Sequence, residues 1–205
     1  MSQTKKFGVV LFPEFELLDV FGPVEMFANL TGMVDTVMVA ENAGPVRSAQ
    51  AVNVVADHGF ADCPKLDYIL VPGGMGTRTE IDNQAMLSFL RTRVAEAELA
   101  MTVCTGTALF AKAGVLDGHR ATTNKMLFQW VADQGPKVEW VKQARWVEDG
   151  KFATSSGVSA GMDMALAVIE RLYGKEMSKA LEVGTEYDRH TDASWDPFAK
   201  IHGLV

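Results

Sequence analysis

Apolar positions along this chain follow two rhythms, and their alternation predicts its elements. Short unbroken apolar runs at Phe7–Phe12, Tyr68–Val71 and Ala100–Val103 predict strands buried on both faces, and Asp35–Ala40 predicts another. Shorter extended pieces are expected near Val46-Arg47, Val52–Val55, Ala121–Thr123, Val138–Val141 and Arg145–Val147. The turn Glu148–Lys151 should return the chain into Phe152–Thr154. Helical spacing appears in Val24, Met26, Phe27 and Leu30, where Pro23 suits a first turn and Gly22-Pro23 breaks anything begun earlier. It returns from Asn83 to about Glu98, capped by Asp82, with Met86, Phe89, Leu90 and Val94 on one face. Three more helices are predicted: one after Cys104 closed by Gly114, one with Met126, Leu127, Trp130 and Val131 closed by Gly135-Pro136, and one over Ala160–Tyr173 ended by Gly174. A last helix runs from Lys175 to about Asp188, and the tail through Asp196-Pro197 is read as irregular. Strands alternating with helices indicate a mainly parallel, doubly wound sheet with helices on both faces. No repeat or linker divides residues 1–205, so one domain is expected.

Composition narrows the partners. At 205 residues and 48% hydrophobic content, the chain is long enough to bury a full core. A net charge of −7 argues against a nucleic-acid surface and against an anionic membrane. Lys5 and Lys6 before an apolar run resemble the start of a signal peptide, but Pro13, Glu14 and Glu16 end that run too soon. No run is long enough to span a bilayer. Cys63 and Cys104 form no paired spacing for zinc or dithiol chemistry, and two unpaired cysteines fit a reducing cytoplasm. Met75, Met86, Met101, Met126, Met162 and Met164 are read as core, as are Trp130 and Trp140, while Trp146 and Trp195 stay open.

The candidate chemistry centres on Cys104. It stands where a strand runs into a helix without a spacer, the arrangement of a nucleophile elbow written with cysteine. A helix N-terminus beside it would favour the thiolate. In an open parallel sheet the functional loops gather outside the carboxyl ends of the central strands. Three of those ends carry unusual residues: Asp19 after the first, Gly73-Gly74 after Tyr68–Val71, and Cys104 itself. A glycine pair lets backbone N–H groups approach an anion. A carboxyl group against the sulfur can share its proton and act as the acid after attack. Each part has a plainer explanation: Cys104 as a small core residue, Gly73-Gly74 as a tight turn, Asp19 as a helix cap, and Thr105, Ser155 and Ser156 as caps. No histidine among His58, His119, His190 and His202 has the local setting of a catalytic base. The pattern asks for no cofactor and no metal.

The segments Leu17–Phe27, Val71-Pro72-Gly73-Gly74, Val103-Cys104-Thr105-Gly106, Ala121-Thr122-Thr123-Asn124, Thr154–Asp163 and Glu186–His190 together resemble the ThiJ/PfpI superfamily, most closely its isocyanide hydratase branch. That resemblance implies a flavodoxin-like sandwich of the class I glutamine amidotransferase type, a homodimer, and a small-molecule substrate. It also implies Cys104 as nucleophile and Asp19 as proton donor, with Gly73, Gly74 and Thr105 holding the bound group and Asn124 and Ser156 as possible pocket residues. The implied reaction is cofactor-free hydration of an isocyanide to an N-formamide. Protease-like members have histidine directly after the nucleophile, where this chain has Thr105, which argues against a peptidase. Some hydratase and regulator relatives have histidine where this chain has Asn124, whose amide takes up no proton near neutrality. The competing readings are an enzyme acting on reactive carbonyls such as glyoxals, a cysteine oxidation sensor, and a ligand-sensing module. The last would need a separate partner, because no helix-turn-helix follows before Val205.

Overall fold

β1 (Lys5–Val10) is an interior strand of a seven-stranded sheet, paired in parallel with β2 (Val34–Ala40) on one side and β6 (Tyr68–Val71) on the other. The computed structural model describes residues 4–205. Beyond β2 lies the short β5 (His58–Gly59). Beyond β6 come β7 (Leu99–Val103), β11 (Phe152–Ser155) and the antiparallel edge β10 (Trp146–Asp149). Strand order therefore reverses between β1 and β6, the place where an open sheet leaves a crevice. β3 (Gly44–Arg47) and β4 (Asn53–Ala56) form a separate hairpin, and β8 (Arg120–Ala121) pairs with β9 (Glu139–Trp140). Every residue of β6 and β7 is buried, as unbroken apolar runs require.

The helices fall into two packed groups. One contains α1 (Leu17–Ala28), α6 (Ala160–Tyr173) and α7 (Lys175–Gly184). The other contains α2 (Thr77–Glu80), α3 (Gln84–Glu96), α4 (Thr107–Ala113) and α5 (Phe128–Ala132). The mainly parallel sheet with helices around it is a flavodoxin-like fold. Among the described residues, no helix is long and apolar enough to cross a membrane.

The fold departs from the sequence pattern in instructive places. α1 begins at Leu17 and runs straight through Gly22-Pro23. Pro23 removes the N–H that would reach the Asp19 carbonyl four residues earlier, a loss that usually ends a helix. Packing against α6 outweighs it: a Cβ on Gly22 would lie 2.8 Å from Met162 Cγ, and one on Gly161 3.3 Å from Pro23 Cγ. Asn83, not Asp82, caps α3, its side chain accepting from Ala85 N and Met86 N at 3.0 and 3.3 Å. α2 precedes that cap and α5 is only five residues long. The tail contains a further helix, α8 (Pro197–Ile201), capped by Asp196 Oδ1 on Phe198 N at 2.9 Å. Met75 and Met126 are exposed rather than core. Trp146 is buried, Trp130 sits half-buried under the Arg78 guanidinium, Trp140 packs partly against the core, and Trp195 is exposed.

A buried ion pair ties the tail to the sheet. Arg145 Nε meets Asp163 Oδ2 at 2.6 Å, and Asp163 Oδ1 accepts from the Tyr187 hydroxyl and the His190 amide, both at 3.0 Å. Arg145 N also donates to Ala193 O at 2.8 Å. These bonds anchor the segment that leads into α8.

Candidate active site

Register brings the candidate residues together. Val71 pairs with Thr102, and Val103 with Ser155, so β6, β7 and β11 end at one level. Cys104 and Ser156 emerge side by side, and Cys104 N donates to Ser156 O at 3.3 Å. The chain then turns at once. Cys104 has φ +57°, the left-handed region that costs an ordinary side chain about 1–2 kcal/mol. It opens a 3₁₀ turn, Cys104–Gly106, ahead of α4. The strained carbonyl is held by two hydroxyls, Thr123 Oγ1 at 2.7 Å and Thr107 Oγ1 at 3.3 Å. Gly106 lets the turn press on the end of β6: a Cβ there would collide with the Val71 carbonyl and lie 2.6 Å from Pro72 O.

Asp19 reaches this corner from the first turn of α1 and is fully buried. Its Oδ2 accepts from Gly73 N at 2.8 Å, while Oδ1 has no hydrogen-bond partner among the described residues. Burial holds the carboxyl well above the usual carboxylate range; the Gly73 N–H opposes this and the charge of Glu16 adds to it. The neighbouring thiol is driven the same way. Burial pushes Cys104 far up and the charge of Asp19 pushes it further, against the pull of the Thr105 N–H and the Asn124 amide. A helix end does not win here. Burial and mutual repulsion disfavour charge on both groups, so the neutral thiol beside the acid is favoured over a free thiolate.

Gly73 N is engaged by Asp19, and Gly74 N donates to Thr105 Oγ1 at 3.1 Å. In this structure both amides orient site residues, Asp19 and Thr105. Gly74, at φ +124°, also packs against residues 14–16, where a Cβ would lie 2.6 Å from Glu16 N. Thr105 faces the sulfur through its own N–H, and its hydroxyl also takes a bond from Thr77 Oγ1 at 3.2 Å. Asn124 lies beside the sulfur: Nδ2 donates to Cys104 Sγ at 3.2 Å, and Oδ1 accepts from Leu127 N at 3.0 Å. Asp19 and Thr105 are not helix caps by side chain, nor are Ser155 and Ser156.

A cavity of about 230 Å³ opens beside Asn124 and Ser156 and is closed by Lys125, Met126, Gly157, Val158, Phe198 and His202. Gly157 packs against the sulfur: a Cβ there would lie 2.9 Å from Cys104 Sγ. Five residues of this setting carry no site role in the sequence pattern: Thr123, Lys125, Gly157, Phe198 and His202. The Asp196-Pro197 dipeptide, a cap followed by proline at the first helical position, was the signal for α8. Cys63 lies elsewhere, buried, with its thiol raised by burial and donating to Pro64 O at 3.4 Å.

The DJ-1/PfpI family matches this chain over residues 5–171. Isonitrile hydratase of Pseudomonas putida is 34% identical over 180 residues, covering 88% of this chain and 77% of the relative. The HTH-type transcriptional regulator GbdR of Pseudomonas aeruginosa is 27% identical over 89% of this chain, which spans 50% of the regulator's length. Among solved structures, a ThiJ/PfpI family protein from Pseudomonas syringae superposes with a TM-score of 0.85 at 28% identity, covering 91% of this chain and 76% of that one.

Proposed function

Because the chain belongs to the DJ-1/PfpI family, we propose that it is a hydratase adding water to an isocyanide, with Cys104 as nucleophile and Asp19 as proton donor. The observation that carries this reading is the Cys104 sulfur, turned out of the sheet at φ +57° between a buried carboxyl group and the Asn124 amide. The similarity to isonitrile hydratase supports the substrate class.

The proton that the pair shares is the reagent. Sulfur attacks the terminal isocyanide carbon, and the thiol proton passes through the Asp19 carboxyl to that same carbon. The product is a thioimidate, Cys104–S–CH=N–R. While sulfur carries charge, the Thr105 N–H and Asn124 amide stabilise it. Water then adds to the carbon, the C–S bond breaks, nitrogen takes up a proton, and R–NH–CHO leaves with the thiol restored. No electrons are exchanged, and the sum is one isocyanide plus one water. The organic group R occupies the cavity under α8. The working form is proposed as a homodimer, with Leu18 and Phe21, exposed on α1, as apolar contact surface; light scattering measures it.

Incubation of aryl and alkyl isocyanides in isotopically labelled water should yield N-formamides carrying one labelled oxygen, and Cys104→Ala should abolish them. No formamide above the Cys104→Ala background from any isocyanide tested removes the proposal. Lactate from methylglyoxal would put the reactive-carbonyl reading in its place. Selective oxidation of Cys104 by dilute peroxide without any turnover would favour a sensor.

A further inference from the structure

Lys125 is buried, and among the described residues its ammonium meets no carboxylate at ion-pair distance. Nζ donates instead to three oxygens: Thr122 Oγ1 at 2.6 Å, Ala144 O at 2.6 Å and Thr123 O at 3.2 Å. Each acceptor belongs to the framework of the site. Thr123 is the residue whose hydroxyl grips the strained Cys104 carbonyl, and Asn124, next in sequence, bonds the sulfur. Ala144 directly precedes Arg145, whose carbonyl accepts from Ser156 N at 2.8 Å. One cation therefore pins both walls beside Cys104.

We infer that Lys125 is a positioning residue for the Cys104 site, its ammonium holding the Thr122–Asn124 segment so that the Asn124 amide stays on the sulfur. The charge is needed for stoichiometry. An ammonium has three N–H donors for three oxygens, whereas a neutral amine has two and turns a lone pair toward the third. The longest bond, to Thr123 O, is the one expected to fail.

The surroundings place that change in an accessible range. Burial pulls Lys125 down to about 8, and the charge of Asp196 pulls it back up. Asp196 comes from the residue before α8, and its Oδ2 has no hydrogen-bond partner among the described residues. The other charged or titratable groups nearby are His202 of α8, on the same cavity, and Arg145, which is neutralised by Asp163. The Phe128 ring faces Nζ at 5.8 Å and brings no titratable group. Cys104 and Asp19 lie beyond Asn124.

The test follows two signals in the intact protein between pH 6.5 and 9.5: the Asn124 side-chain amide by NMR, and the rate of Cys104 alkylation by iodoacetamide. Both should change with a midpoint near pH 8 in wild type and in Asp19→Asn, which removes the carboxyl as an alternative source. The midpoint should vanish in Lys125→Arg, which cannot lose its charge, with alkylation at pH 7 kept near wild type. Lys125→Met should slow alkylation at pH 7 by about tenfold, the scale on which a displaced site residue acts. Combined with Asn124→Ala it should add nothing further. The inference is overturned if the midpoint persists in Lys125→Arg, or if the double variant is slower than Asn124→Ala alone. Should both lysine variants fail to fold, the Lys125 Cε resonance decides: its titration without movement of the Asn124 amide refutes the coupling. None of these readouts uses an isocyanide, so a failed hydration assay leaves the inference standing.

Discussion

Gly73 and Asp19 are fitted to each other by one hydrogen bond and by a missing methyl group. The Gly73 amide donates to Asp19 Oδ2 at 2.8 Å, and a Cβ on residue 73 would lie 2.9 Å from that oxygen and 2.6 Å from Thr105 N. Because Thr105 N is backbone, it cannot rotate away. Gly73→Ala should therefore lower stability by about 1–3 kcal/mol, as overpacking does. It should also displace both Asp19 and Thr105 from the sulfur, with isocyanide turnover falling at least about tenfold. Urea unfolding and steady-state kinetics measure the two effects.

Asp19→Asn should move two properties in opposite directions. The charge of Asp19 pushes the Cys104 thiol up, so its removal lets the thiol ionise more readily and iodoacetamide should react faster at pH 7. On the proposed mechanism the variant also lacks its proton donor, so turnover should fall by about a hundredfold or more. Stability supplies a third readout. The folded state holds the Asp19 carboxyl above its unfolded value, so the native protein binds more protons than the unfolded chain above pH 4, and wild-type stability declines as pH rises through that window. Asp19→Asn escapes this decline, so its melting temperature should gain on wild type at pH 7 and lose the advantage toward pH 4.

Asn124→Ala removes a donor that pulls the thiol down. A hydrogen bond to a charged group contributes about 1.5–3 kcal/mol, so the thiolate population should drop roughly ten- to hundredfold. Alkylation of Cys104 at fixed pH reports it directly. Asn124→Asp should be slower still, since it places a second carboxylate against the sulfur.

Thr123→Val removes the 2.7 Å bond to the Cys104 carbonyl and keeps the shape of the side chain. The buried carbonyl retains Thr107 at 3.3 Å, so the expected loss is about 1–2 kcal/mol in urea unfolding. The sharper effect should be on the elbow itself, whose left-handed residue loses one of its two restraints.

Sequence periodicity captured β1, β2, β6 and β7 because buried parallel strands leave unbroken apolar runs, missed the two-residue β5, and captured α6 to its ends because Gly174 terminates an uninterrupted stripe. It failed where tertiary contact overrides local preference. Gly22-Pro23 is a break by every local rule, yet α1 continues and packs closely on α6, with a glycine from each helix, Gly22 and Gly161, at the contact. The site divided in the same way. Asp19 and Cys104 stood out by their places at strand ends, and Asn124 by the family resemblance alone; the fold brings Asn124 onto the Cys104 sulfur. The partners of the Gly73 and Gly74 amides were not legible, since which acceptor an N–H meets depends on segments far apart in the chain. Lys125 was invisible for a related reason: an isolated lysine between Asn124 and Met126 reads as solvent-facing until the fold closes over it.

The contact at Gly106 has a mechanical consequence. With main chain pressed on main chain at Val71 and Pro72, the bank of the crevice formed by β6 and the cysteine turn has no slack to give. On the cavity side, Asn124, Lys125, Met126, Phe198 and His202 present side chains that can rotate, so room for a molecule beside the sulfur comes from them rather than from the turn. The rigid turn thus fixes where the sulfur stands, and the rotatable side chains set how wide a group can lie beside it.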